Sequence, residues 1–249
     1  VHPILLDLGG FELRTYGALG ALAFLLACFL GLRWAARRGW EREAVVDVIF
    51  WSSLAAIAGA RLLFLAQNPG SFSPFALFNL RSGGMVFYGA PLLGVPVLLA
   101  MARRRGLPLL GVLDGMGRFG PLAHGISRLG CLGAGCCYGA PTELPWAITY
   151  HDPLGAAPLA VPLHPTQLYE AAGLFALAGL TAWVERRQRF AGEVGLTWLG
   201  GYAVLRSLVE LTRGDADRGF LGPLSTSQAI SAAVLLVVLA AGWRLRQRA

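Results

Sequence analysis

Seven stretches of apolar residues, each long enough to cross a lipid bilayer as a helix, occupy most of this chain: 16–34, 44–66, 84–102, 110–130, 165–184, 194–212 and 226–243. A spanning helix needs roughly 20 predominantly apolar residues. Backbone amides in hydrocarbon must be satisfied internally, which a helix does within one segment. With 55% hydrophobic and only 14% charged residues over 249 positions, a soluble domain is excluded. The pattern predicts an all-α polytopic membrane protein of seven helices, a single integral membrane domain over 1–249. The first run ends in Leu32-Arg33-Trp34 rather than a small-residue cleavage site, so it is expected to stay as the first span.

The formal net charge of +7 comes from arginine alone, since the chain has no lysine. Clusters at Arg33, Arg37, Arg38 and Arg42, at Arg103 to Arg105, at Arg186, Arg187 and Arg189, and at Arg244, Arg246 and Arg248 follow the first, third, fifth and seventh runs. That is the distribution of cytoplasmic loops under the positive-inside rule. It predicts an outer N-terminus, a cytoplasmic C-terminus, and outer segments at 67–83, 138–163 and 213–225, rich in turn-forming Pro and Gly. The basic charge therefore reports topology, and no nucleic-acid partner is expected.

Charged residues inside the apolar runs are costly in lipid and mark function by default. At an ideal ~100° per residue, with Asp114 at zero, Arg118 falls near ~+40°, Arg128 near ~−40° and His124 near ~−80°. Gly117, Pro121 and Gly125 lie among them, where the helix is expected to kink or break. In the sixth run Tyr202, Arg206, Glu210 and Arg213 share about 80° of the helix face, and Arg206 with Glu210 has the i, i+4 spacing of an ion pair. Arg61 and Glu170 complete the buried set. Structural ion pairs between helices are one reading of these residues. The excess of arginine, whose fork matches phosphate, is the argument for an anionic ligand.

Cys131, Cys136 and Cys137 follow Arg128 in a glycine-rich stretch. C-x4-C-C is not a zinc spacing, and no metal is expected in the reaction. Tight packing, a disulfide from Cys131 to Cys136 or Cys137, and a soft-metal site all remain open. A thiol beside Arg128 would also have a lowered pKa. Cys28, in the first apolar run, is expected to pack.

Six blocks, in order along nearly the whole chain, are similar to those of the bacterial prolipoprotein diacylglyceryl transferase family. They are Arg14-Thr-Tyr16-Gly17, Gly59-Ala-Arg61, Ser82-Gly83-Gly84-Met85-Val86-Phe87-Tyr88-Gly89, Ser127-Arg128-Leu129-Gly130, His164-Pro165-Thr166-Gln167-Leu168-Tyr169-Glu170, and Gly201-Tyr202 through Arg206 and Glu210 to Arg213. The resemblance implies transfer of the diacylglyceryl group of phosphatidylglycerol to the lipobox cysteine thiol of a preprolipoprotein. A thioether forms and glycerol phosphate leaves, in the bacterial cytoplasmic membrane and without a cofactor. It implies catalytic roles among Arg128, Arg206, Glu210 and Tyr88; His124, about 40° from Arg128 on the fourth run by ideal spacing, is the candidate substitute base. Substrate contacts are implied for Arg128, Arg206, Tyr16, Arg61, Tyr202, Gly84, Gly89, His164 and Gln167.

Two departures stand out. Tyr88 occupies the position of a family histidine, and a tyrosine with a reference pKa near ~10 is a poor base at neutral pH. Cys131 and Cys136 occupy the family's Asn and Glu positions. A divergent paralogue using these thiols for redox chemistry or another lipid transfer is the alternative. An anion transporter would explain the arginines but not the six blocks.

Overall fold

The apolar runs fold as helices in the computed structural model, which describes residues 2–9, 12–71, 84–214 and 219–248. Seven helices occur among the described residues: α1 (Thr15–Arg37), α2 (Arg42–Gln67), α3 (Gly89–Arg104), α4 (Leu109–Ala134), α5 (Thr166–Arg186), α6 (Glu193–Glu210) and α7 (Thr226–Arg246). Of these, α1, α2 and α7 are long and apolar enough to cross a membrane by length and composition. Their large apolar side chains point outward, among them Leu25 (64% exposed) on α1, Phe50 (57%) on α2 and Leu236 (71%) on α7. Such faces are stable only against lipid or a partner.

One expected boundary changes. The third run was expected to be helical from residue 84, yet α3 starts at Gly89, because Gly84 takes a left-handed φ of 75° that a helix cannot contain. Ser82 and Gly83 of the third block, and most of the outer segment 67–83, lie outside the described residues. The fourth run, expected to kink or break among Gly117, Pro121 and Gly125, is not broken: α4 is continuous through Pro121, whose side chain is fully buried. The all-α expectation also omitted three antiparallel two-stranded pairs: β1 (Ile4–Asp7) with β2 (Glu12–Arg14), β3 (Ile148–Thr149) with β4 (Pro162–Leu163), and β5 (Phe220–Leu221) with β6 (Leu224–Ser225).

The chain divides into two compact units, 1–31 with 113–249, and 32–112. In the first, α6 packs between α5 and α7. The segment between α4 and α5 has a small core of its own, Tyr150, Ala157 and Leu163, with Tyr138, Ile148 and Val161 against it. Ser225 and Gln228 form a reciprocal capping box that fixes the start of α7.

At one end of the first unit α4 holds the start of α6. The buried Asp114 carboxylate accepts the backbone N–H of Gly192 (2.8 Å), Val194 (2.9 Å) and Gly195 (3.1 Å), and Gln188 Nε2 at 2.6 Å. The first amides of a helix have no partner within it and carry the positive end of its dipole, so a carboxylate from another helix satisfies both demands. Stripping it away would leave several buried donors unmet, a cost of roughly 3 kcal/mol. Gly117 allows the approach, since a Cβ there would stand 2.7 Å from Gly195 Cα. One turn on, Arg118 Nε pairs with Glu185 Oε2 on α5 at 2.9 Å.

In the second unit α2 and α3 cross at Gly59 and Gly89, where a Cβ on either would overlap the other's carbonyl oxygen. Arg61, buried on α2, donates from Nη1 to Gly84 O at 2.8 Å and lies over the Phe64 ring, 5.3 Å from its centroid. Tyr88 is the residue before α3 and is 46% exposed. An Arg105–Asp47 ion pair and an edge-to-face Trp34–Trp40 contact hold the other end of this unit.

Candidate active site

The upper half of α4 carries the polar cluster, organised by a residue from another helix. Glu170, in the second turn of α5, has a side chain only 2% exposed, and its Oε2 lies 3.0 Å from Arg128 Nε. Its Oε1 accepts the Tyr202 hydroxyl of α6 at 2.9 Å and stands 3.9 Å from His124 Nε2. The His124 and Tyr202 rings lie 4.9 Å apart, tilted by 59°. One carboxylate thus ties together α4, α5 and α6.

Arg206 forms the second ion pair. Its Nη1 lies 2.7 Å from Glu210 Oε2, one turn along α6, and its Nη2 donates to Ser227 Oγ on α7 at 3.0 Å. The side chains of Arg128 and Arg206 are 16% and 14% exposed. Arg128 Nε and Arg206 Nη1 sit at ion-pair distance from their carboxylates without an aligned hydrogen bond. A guanidinium has five N–H donors, so each arginine is oriented by its carboxylate while keeping donors for a ligand. The arginine excess expected from composition reduces locally to matched pairs, Arg128 with Glu170, Arg206 with Glu210, and Arg118 with Glu185.

The segment His164 to Glu170 fastens the chain beyond α4 to this cluster. Thr166 Oγ1 donates to Cys137 O and Gln167 Nε2 to Cys136 O, both at 2.7 Å, and Gln167 also reaches the Tyr150 hydroxyl at 3.1 Å. His164 exchanges backbone hydrogen bonds with Gly139 and Ala140, and its ring Nδ1 is 3.3 Å from the Tyr169 hydroxyl, which also accepts Trp146 Nε1 at 2.7 Å. Arg213 lies past the end of α6, its backbone bridged to Gly139. Tyr16, half exposed on the first turn of α1, approaches α4 at Gly130, where a Cβ would sit 3.2 Å from Tyr16 Cα.

The three cysteines close the cluster. Arg128 Nη1 faces Cys137 Sγ at 3.5 Å and Cys131 Sγ at 3.8 Å. Hydrogen bonds from the Cys131 and Cys136 thiols, aided by Arg128 and Arg213, push the Cys137 thiol well below the ordinary cysteine range. Cys137 itself has a φ of 59°, a left-handed conformation that costs a non-glycine residue roughly 1–3 kcal/mol.

The structure thus brings together Arg128, His124, Tyr202, Arg206 and Glu210. It sets Gln167 and His164 on the flanking segment and Tyr16 near Gly130, while Arg61, Gly84, Tyr88 and Gly89 belong to the second unit. Asp114 and Arg118, on the same sequence stripe, are occupied in fastening helices. Sequence reading noted Glu170 as buried but gave it no role, although Glu is the one acid in the His-Pro-Thr-Gln-Leu-Tyr-Glu block; no pattern marked Ser227.

Such a site defines a helical membrane protein whose polar core presents oriented guanidinium donors to an anion. Comparison with known proteins narrows the class. Residues 3–244 match the family described as prolipoprotein diacylglyceryl transferase. The chain is similar to phosphatidylglycerol–prolipoprotein diacylglyceryl transferases of Clostridium tetani (33% identical, 95% of each chain covered) and Geobacter sulfurreducens (38%, 96% of this chain and 93% of the relative). It is also similar to that of Vibrio atlanticus (34%, 99% and 92%). This chain belongs to the prolipoprotein diacylglyceryl transferase family.

Proposed function

We infer that this chain transfers the diacylglyceryl group from phosphatidylglycerol to the lipobox cysteine thiol of a preprolipoprotein, forming a thioether and releasing glycerol phosphate. The observation that carries the site assignment is the pair of guanidiniums, Arg128 and Arg206, each oriented by a buried glutamate, Glu170 and Glu210. They hold the headgroup phosphate and stabilise its charge as the bond from glyceryl carbon to phosphate oxygen breaks, an electrostatic contribution that is large where water is scarce. The attacking sulfur must lose its proton. His124 accepts it in this reading, its ring set between Glu170 and Tyr202. Glu170 and Glu210 are positioning residues for the two arginines. Tyr16, on the first turn of α1 beside Gly130, contacts substrate.

Purified protein given phosphatidylglycerol and a lipobox peptide is expected to yield a peptide heavier by one diacylglyceryl group, read by mass spectrometry. Absence of that adduct from folded, lipid-supplied protein sinks the reading.

The site opens toward the outer half of the bacterial cytoplasmic membrane, with seven spans, an outer N-terminus and a cytoplasmic C-terminus. The arginine clusters after alternate apolar runs support this topology. A fluorescent protein fused after residue 249 is expected to mature in the cytoplasm; fluorescence only from an N-terminal, cytoplasmically retained fusion would reverse it.

A further inference from the structure

The spacing of Cys131, Cys136 and Cys137 argued against a metal, yet the fold places their three Sγ atoms within 4.8 Å of one another. Cys131 is buried on the last turns of α4, and the helix ends at Ala134. Left-handed Gly135 and Cys137 then turn the chain back on itself, closed by Cys136 N–H to Cys131 O at 3.1 Å. The returning strand is pinned from α5, by Gln167 on the Cys136 carbonyl and Thr166 on the Cys137 carbonyl. The thiols are therefore convergent and preorganised, at the expense of an unfavourable backbone conformation at Cys137.

We propose that Cys131, Cys136 and Cys137 form a three-coordinate thiolate site for a soft monovalent cation, Cu(I). Metal–sulfur bonds of about 2.3 Å put the sulfurs of a trigonal site about 4 Å apart, within reach of the observed spread after small rotamer changes. Among the described residues no His, Asp or Glu joins the group, so the donor set lacks the fourth ligand that a structural zinc site takes. Thiolates alone select soft ions, Cu(I) among them. Three thiolates with Cu(I) carry a double negative charge, and Arg128 Nη1, at 3.5 and 3.8 Å from two of the sulfurs, offsets it from outside the coordination sphere. The metal site would then hold the orientation of the same arginine that faces the anion site. The proposal stands independently of the transferase reading, because its primary readout is metal binding.

The test uses the full chain in detergent micelles, reduced anaerobically with a phosphine and titrated with Cu(I) against bathocuproine disulfonate. One Cu(I) per chain is expected, with a thiolate-to-copper charge-transfer band in the ultraviolet. Affinity should rise with pH, because the ion displaces thiol protons. Cys136→Ser and Cys137→Ser, both outside the helix, are expected to weaken binding by on the order of a hundredfold or more, while Cys28→Ser leaves it unchanged. Cys131→Ser, which alters a buried helix position, is read only beside its melting temperature. Reduced wild type that binds no Cu(I), or binds it equally in Cys136→Ser and Cys137→Ser, overturns the proposal. So does stoichiometric Zn(II) that Cu(I) cannot displace. Protein whose Cys131 is locked in a disulfide that phosphine leaves intact overturns it as well.

Discussion

Exchange of Arg128 for lysine is expected to lower diacylglyceryl transfer by on the order of a hundredfold to a thousandfold, the scale of losing one preorganised donor to a developing anion. Lysine keeps the positive charge, so a purely Coulombic role predicts a small loss. The geometry argues for the fork instead: Nε is committed to Glu170 while Nη1 is turned toward Cys131 and Cys137. A single ammonium cannot make both contacts and still face a phosphate. The measurement is the initial rate of adduct formation with saturating lipid, beside a melting curve in the same detergent. A lysine variant that melts like wild type and works within about threefold of it would remove Arg128 from the chemistry.

The second large effect is expected from Glu170→Gln, and it should appear in stability and activity together. Glutamine preserves size and an acceptor for the Tyr202 hydroxyl, but leaves Arg128 without its counter-charge in a site that water scarcely reaches. Removing one partner of a buried pair costs roughly 3–5 kcal/mol, so a marked fall in Tm is expected along with a loss of transfer on the order of a hundredfold. Glu185→Gln, which disturbs the more exposed Arg118 pair on the same two helices, serves as the control and should cost roughly 1 kcal/mol or less. If Glu170→Gln matched Glu185→Gln in both readouts, Glu170 would be one more helix fastener.

The two arginines differ in how much of their setting could be read from sequence. For Arg206 the i, i+4 spacing to Glu210 names the partner, because both residues lie on one helix and its geometry is known in advance. For Arg128 the partner lies on another helix, and periodicity on α4 gives only a direction. That direction joined Asp114, Arg118, His124 and Arg128 in a single stripe. Along the axis, however, each level meets different neighbours: the first amides of α6 at Asp114, Glu185 at Arg118 and Glu170 at Arg128. A helical wheel discards that coordinate. Apolar runs placed all seven helices, since lipid demands such runs whatever the tertiary contacts, but the start of α3 was read too early because hydropathy cannot see the left-handed Gly84. The convergence of the cysteines was hidden for a related reason. It depends on Cys137 adopting a conformation that non-glycine residues avoid, enforced by Thr166 and Gln167 from α5.

The carboxylate that α4 lends to α6 also bears on how the chain is made. Helix α6 begins with amides at its first turn that its own sequence does not cap, for Gly192 offers no side-chain acceptor. The acceptor lies 78 residues earlier, at Asp114. Synthesis runs from the N-terminus, so α4 is already available when α6 emerges, and the order of the chain supplies the cap before it is needed. A circular permutant that begins at α5 would reverse that order, leaving the α6 amides exposed through insertion, although the finished structure would contain the same contacts.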